Sequence, residues 1–232
     1  FFFDNSFVLI QDVSKEEQEM RSIIPKTVVL AGGPGGGKTR AEKEVRDHFS
    51  KFGVRVVVIP EAATILLGHG ASASEIKGTP GGGILLQQEI VKLQLQLEES
   101  AYALARAQTA DSIVFVADRG LLDGAAYIGL PAFLKEVLEP LNLSLRELKN
   151  RYYAVFHMVT SALGAEDHYN LANAARIETI EEARALDMRI QNAWGFHPRH
   201  VVIPNVDAAG QARGFDEKLR RLCVEIQSAL GL

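Results

Sequence analysis

No stretch restricts this chain more than Gly32-Gly33-Pro34-Gly35-Gly36-Gly37-Lys38-Thr39, which fits the phosphate-loop (P-loop) pattern G-x-x-x-x-G-K-[ST]. Before it runs Thr27-Val28-Val29-Leu30-Ala31, a continuously apolar, β-branched run of the kind a buried parallel strand shows. After it the pattern turns helical. Residues without a Cβ take positive φ, so a glycine-rich turn from strand to helix can aim successive backbone N–H groups at one phosphate. The helix beginning at Lys38 adds its own unpaired N–H groups and the positive end of its dipole. Lys38 is expected to reach the β and γ phosphates and the Thr39 hydroxyl to ligate Mg²⁺. Gly33, Pro34, Gly35, Gly36, Gly37, Lys38, Thr39 and the adjacent Arg40 are therefore the expected nucleotide-binding residues. A chain of this length matches the pattern by accident about once in a hundred sequences. A dinucleotide-binding turn would need G-x-G-x-x-G. Counted from Gly33 or Gly35, its third glycine falls on Lys38 or Arg40.

The remaining strands follow the same logic. Val54 to Ile59 reads as a second buried strand that delivers Glu61 beyond its carboxyl end, where open α/β sheets hold their ligands. A carboxylate there can act as general base or reach Mg²⁺ through water, and capping the next helix is its plain structural use. Ser112 to Ala117 is the third strand and ends in Asp118-Arg119-Gly120. Apolar residues followed by Asp match a Walker B carboxylate at Mg²⁺, and Arg119 in the next place suits an anionic group better than water activation does. Tyr152 to Val159 and His200 to Pro204 complete five strands. Asp207, just past the fifth, is a candidate for a base amino group or an ordinary turn carboxylate.

Between the strands, Lys38 to Phe52 forms a helix with an apolar face of Ala41, Val45, His48, Phe49 and Phe52. Gly68 to Gly83 reads as a mobile loop or a disordered surface segment. A long helix from Ile84 to Ala107 carries an apolar stripe of Leu86, Ile90, Leu93, Leu97, Ala101 and Leu104, and Ser144 with Glu147 marks a capping box. In Asn170 to Trp194, Arg176, Arg184 and Arg189 either neutralise a transferring phosphoryl group or pair along the helix with Glu178, Glu181, Glu182 and Asp187. Arg176 is the preferred phosphate candidate. Gly214 to Leu230 closes the chain as an amphipathic helix. His157 is read as structural, and the histidines and Cys223 show no metal-ligand spacing.

With 232 residues, 47% of them hydrophobic, one α/β domain over 26–232 is expected, preceded by an arm or linker at 1–25. A net charge of −4 excludes a general nucleic-acid binder. One cysteine points to a reducing, cytoplasmic setting, and the apolar start carries Asp4 and no basic leader, a poor match to a signal peptide.

Five strands alternating with helices, the P-loop after the first, Glu61 after the second and Asp118-Arg119 after the third resemble the P-loop kinases that include the deoxynucleoside and ribosylnicotinamide kinases. The resemblance implies a general base at Glu61 accompanied by Arg119. The runs GGPGGGKT, PEAAT, ILLQQEI, ADRGLLD, FHMVTSALGAEDHYN and ALDMRIQNAWGFHP further resemble the AAA-type family named for the TRPL translocation defect protein, a GTP- and phosphoinositide-binding trafficking factor. The expected fold is thus α/β, a three-layer, kinase-like P-loop NTPase on a five-stranded parallel sheet. The expected activity is Mg²⁺-dependent kinase-like phosphoryl transfer or hydrolysis of ATP or GTP, with Lys38, Glu61, Asp118, Arg119 and Arg176 as catalytic residues and Thr39, Asp118 and Glu61 as metal ligands. The acceptor is a small molecule or protein of unknown identity. The alternative is a slow or non-catalytic nucleotide-binding module with a phosphoinositide or membrane-trafficking partner. The guanine-reading pattern N-K-x-D is absent from the sequence.

Overall fold

The structure, a computed structural model, describes residues 26–108, 112–169, 178–207 and 209–232. The arm expected at 1–25, and Arg176, lie outside them. Five parallel strands form one sheet: β1 (Thr27–Ala31), β2 (Arg55–Ile59), β3 (Ile113–Asp118), β4 (Ala154–Met158) and β5 (His200–Ile203), in the spatial order β2-β3-β1-β4-β5. Parallel pairing demands crossovers, and helices supply them. Among the helical segments of the crossovers are α1 (Lys38–Ser50), α2 (Ala62–Leu67), α3 (Ala73–Gly78), α4 (Gly82–Arg106), α5 (Ala125–Ile128), α6 (Leu145–Arg151) and α7 (Ile180–Ala193), with α8 (Phe215–Leu230) following the last strand.

All five residues of β1 are buried, and its alternation divides the core. Val28 and Leu30 face α1 and α8 with Val45, Phe49, Leu222 and Ile226, while Val29 and Ala31 face the layer of α4, α5 and α7 with Val91, Leu122, Leu186 and Trp194. Two apolar faces on one sheet need two helical layers, hence three layers in all. The fold is the expected one. Because β3 lies directly beside β1, Leu30 pairs with Asp118, so the Asp118 carboxyl group emerges next to the start of the P-loop.

Two expectations change. Gly68 to Gly83 is not an unstructured loop but carries α3, capped by the Ser72 hydroxyl, which accepts the Glu75 N–H. The buried line of α4 runs through Gln87, Val91, Gln94, Glu98, Tyr102 and Ala105, while Leu104 is 67% exposed. Polar residues occupy that line because each of several finds a partner: Tyr102 shares a hydrogen bond with Thr27 (2.8 Å), Gln94 donates to Glu98 (3.3 Å), and Glu98 accepts from the Tyr152 hydroxyl (2.7 Å) and from Arg151. Counting apolar residues alone rotates the face by one position. The Ser144–Glu147 capping box is present as expected. Among the described residues, no helix is long and apolar enough to cross a membrane.

Candidate functional site

β1 ends at Ala31 and α1 starts at Lys38, so the intervening turn carries the P-loop. Gly37, the residue before α1, has φ 88°, and a Cβ there would lie 2.4 Å from the Phe215 ring. A Cβ on Gly32 would lie 2.3 Å from the Met158 carbonyl oxygen. Glycine is therefore required by both conformation and space. Among the described residues, no acceptor is bonded to the N–H groups of Gly35, Gly37, Lys38 or Thr39. Orphan donors converging at a helix start form an anion cradle. Lys38 completes it: its Nζ folds back onto the carbonyls of Gly32 (2.9 Å) and Gly33 (3.3 Å), and burial together with nearby Arg119 brings its pKa down to about 8.

The cradle is braced from beneath by residues that sequence reasoning missed. Asp187 of α7, 2% exposed, accepts the Gly33 N–H (2.7 Å) and the Thr160 N–H (3.1 Å) on Oδ1, and its Oδ2 meets His157 Nε2 at 3.0 Å. It does not pair along its helix with an arginine, as the sequence suggested. The Thr160 hydroxyl donates to the Pro34 carbonyl, and Tyr169 packs against Gly35. Asn205, after β5, donates to the carbonyls of Thr160 and Leu163, each at 2.7 Å.

The family can now be stated, since the model of an AAA domain matches residues 27–212, from the first residue of β1 to beyond β5. The chain belongs to this AAA domain family. No curated protein matches it. Membership and the cradle together make this AAA domain a nucleotide-binding module of the P-loop type, and such domains generally bind nucleotide with Mg²⁺.

At the head of α1, Thr39 is exposed, and Asp118 closes β3. Asp118 Oδ1 is buried without a hydrogen-bond partner. Glu42, one turn beyond Thr39, lies close enough to Asp118 for the two carboxyl groups to interact. Burial and the Asp118 charge raise the Glu42 pKa to about 7, and burial raises that of Asp118. A buried carboxylate oxygen without a partner, next to a second carboxyl group one turn from Thr39, fits a divalent cation. The residue three places after Thr39 shares its helix face, so Glu42 was readable in the sequence. Among the described residues, no group of three or more His, Cys, Asp or Glu side chains is arranged to hold a metal by itself, as expected where phosphates and water supply most ligands.

Next to Asp118, Arg119 donates through Nε to Glu61 Oε1 and through NH1 to the Gly32 carbonyl (3.3 Å), with Asp123 Oδ2 3.6 Å away. Glu61 Oε2 accepts from the Thr64 hydroxyl (2.8 Å). Burial disfavours the Glu61 charge, but Arg119 and Thr64 outweigh it and hold the carboxyl below its ordinary range. Both Glu61 oxygens are thus engaged. Trp194 Nε1 fixes Asp123 Oδ1 at 2.6 Å.

The outlying candidates fall elsewhere. Arg40 lies over the Phe215 ring (5.2 Å) and pairs with Asp216 (3.0 Å) at the outer surface. Asp207 Oδ1 accepts the N–H groups of Ala209 (2.8 Å) and Gln211 (2.9 Å), closing its own turn. Arg184 bonds the Ala162 carbonyl and Glu166, and Arg189 the Ala126 carbonyl, so neither is drawn to the cradle.

Proposed function

We propose that this AAA domain transfers the γ-phosphoryl group of ATP or GTP to a hydroxyl of a small-molecule acceptor. The observation that carries the reading is the Glu61–Arg119 pair, tethered to the first P-loop glycine and fenced by Asp123. A water-activating carboxylate beside Asp118 would favour hydrolysis, and Arg119 occupies that place.

In this reading the free N–H groups of Gly35, Gly37, Lys38 and Thr39 and the Lys38 ammonium bind the phosphates. Thr39, Asp118 and Glu42 would hold Mg²⁺, which when bound neutralises charge on the β- and γ-phosphate oxygens. Glu61, kept ionised by Arg119, takes the proton of the acceptor hydroxyl as its oxygen bonds to the γ phosphorus. The bond from that phosphorus to the bridging oxygen breaks, and its electron pair leaves with the nucleoside diphosphate. Arg119 steadies the charge spread over the transferring group. Arg176, outside the described residues, is a second candidate for that task. The unused Asp207 oxygen is a candidate for a base amino group.

Glu61→Gln should lower transfer to a panel of nucleoside and ribosyl acceptors by roughly 10²- to 10⁴-fold. Nucleotide affinity should hold within a few-fold. A regulatory module without chemistry, the role suggested by the likeness to a phosphoinositide-binding trafficking factor, would show no such division. Thermal shifts with ATP, GTP, ADP and GDP, with and without Mg²⁺, identify the nucleotide, since a ligand at 100 times its Kd adds about 2.7 kcal/mol. Lys38→Ala should erase most of that gain.

A further inference from the structure

Lys218 is the only buried lysine or arginine among the described residues, at 2% exposure in the first turn of α8. Its Nζ donates to the Val159 carbonyl (2.6 Å), Asn205 Oδ1 (2.8 Å) and the Gly36 carbonyl (3.2 Å). These satisfy all three ammonium donors, yet every acceptor is neutral. A buried charge with no carboxylate in hydrogen-bond contact is costly, and an anion bound nearby would offset that cost. Gly36 shows where: its carbonyl takes the Lys218 proton on one side of the P-loop, while the flanking N–H groups of Gly35 and Gly37 remain free for an anion.

We propose that Lys218 is a positioning residue for the nucleotide, bracing the P-loop through Gly36 and supplying, with Lys38, a second positive charge that the bound phosphates neutralise. The inference rests on the nucleotide-binding reading of the P-loop. Charged groups face Lys218 from two packed elements: Asp187 of α7 favours its protonation and Lys38 of α1 opposes it, while burial, the largest influence, brings its pKa down to about 8. Phosphates placed above Gly36 must raise that value, so binding near pH 8 takes up protons.

The test is calorimetry with Mg·ATP and Mg·GTP at pH 8 in buffers of different ionisation heat, on the wild type, Lys218→Met and Lys218→Arg. The wild type takes up protons. Lys218→Met binds about tenfold more weakly or worse and takes up fewer. Lys218→Arg keeps affinity within a few-fold but loses the same share of uptake, because a guanidinium does not titrate there. A bracing role without electrostatics would lower affinity in Lys218→Met and leave uptake unchanged, which overturns the proposal, as do variants identical to wild type in both readouts. Should neither variant fold, carbon-13 NMR of the wild-type lysine ε-carbons decides. The titration of the Lys218 ε-carbon must shift upward with nucleotide, and a titration that does not move overturns the proposal. A wild type that binds neither nucleotide refutes the underlying reading instead.

Discussion

Asp187 joins three elements under the P-loop, and its removal tests whether the cradle is held from below. In Asp187→Ala the Gly33 and Thr160 N–H groups lose the acceptor they share, and His157 loses its partner, all at buried positions. Each buried donor left unmet costs about 1–3 kcal/mol, so the two backbone groups together lose roughly 3–5 kcal/mol. In a domain of this size each kcal/mol moves Tm by about 2–4 °C, which predicts a fall of roughly 6–20 °C. Asp187→Asn keeps one oxygen for the two N–H groups and should lose only about 1–2 kcal/mol. Thermal unfolding without nucleotide reads this first effect. Nucleotide titration of the folded fraction reads a second, because a P-loop released at Gly33 must be reordered by the ligand. Both variants should bind nucleotide more weakly, Asp187→Ala the more so. An Asp187→Ala protein unfolding within about 2 °C of wild type would refute the reasoning, since that lies below one unmet donor on the same scale.

Glu98 is fully buried and accepts from Tyr152 and Arg151, so Glu98→Ala should cost about 3–5 kcal/mol by urea denaturation, and Glu98→Gln much less. An equal effect of the two would show that charge does not matter there. His200 has its pKa lowered from 6.5 to about 4 by burial and by His157 and His197. Its contribution to stability is therefore complete above pH 6.5 and is lost as pH falls toward 4. His200→Leu should flatten the decline of Tm across that window, and an unchanged slope would assign the acid sensitivity elsewhere. Arg119 has φ 69°, a conformation that costs an L-residue roughly 1–2 kcal/mol and that glycine adopts freely. Arg119→Gly nevertheless strips the cation from Glu61 and from the buried Asp123, so a net loss of about 2–4 kcal/mol is expected. A stabilised variant would mean that backbone strain outweighs the ion pairs.

The fold was legible because its signals are local. β1, β3 and β4 are short apolar runs, and β1 spans the residues its composition marks. A core strand buried on both faces is mostly apolar, so the run itself marks the strand, and its buried polar residues, Thr27 and His157, are each partnered. The same rule misled in α4, where hydrophobicity identified the helix but not its face. Glu98 and Tyr102 lie inward because Arg151, Tyr152 and Thr27 wait there, partners that come from other elements, and Gln94 follows by donating to Glu98. Gly68 to Gly83 failed differently: six residues of α3 are too few for a periodic signal, and Ser72, its cap, reads equally well as loop.

The site divides along the same line between local and distant. Gly32 to Thr39, Asp118 and the Glu61–Arg119 pair are fixed by position at strand ends, and the sequence reveals them wherever it reveals the strands. Asp187 and Lys218 were invisible, because an acidic or basic residue on a helix belongs by default to the solvated side. Their partners lie 154 and 182 residues away, at Gly33 and Gly36. Both touch the P-loop only through its backbone, and the loop sequence cannot show what its carbonyls and amides will meet. The consequence is physical as well as methodological. A loop rich in glycine loses more freedom on ordering than any other, so a cradle formed before the ligand arrives needs rigid support. Asp187 at Gly33 and Lys218 at Gly36 grip it at two points with charges of opposite sign, leaving the N–H groups of Gly35, Gly37, Lys38 and Thr39 unspent.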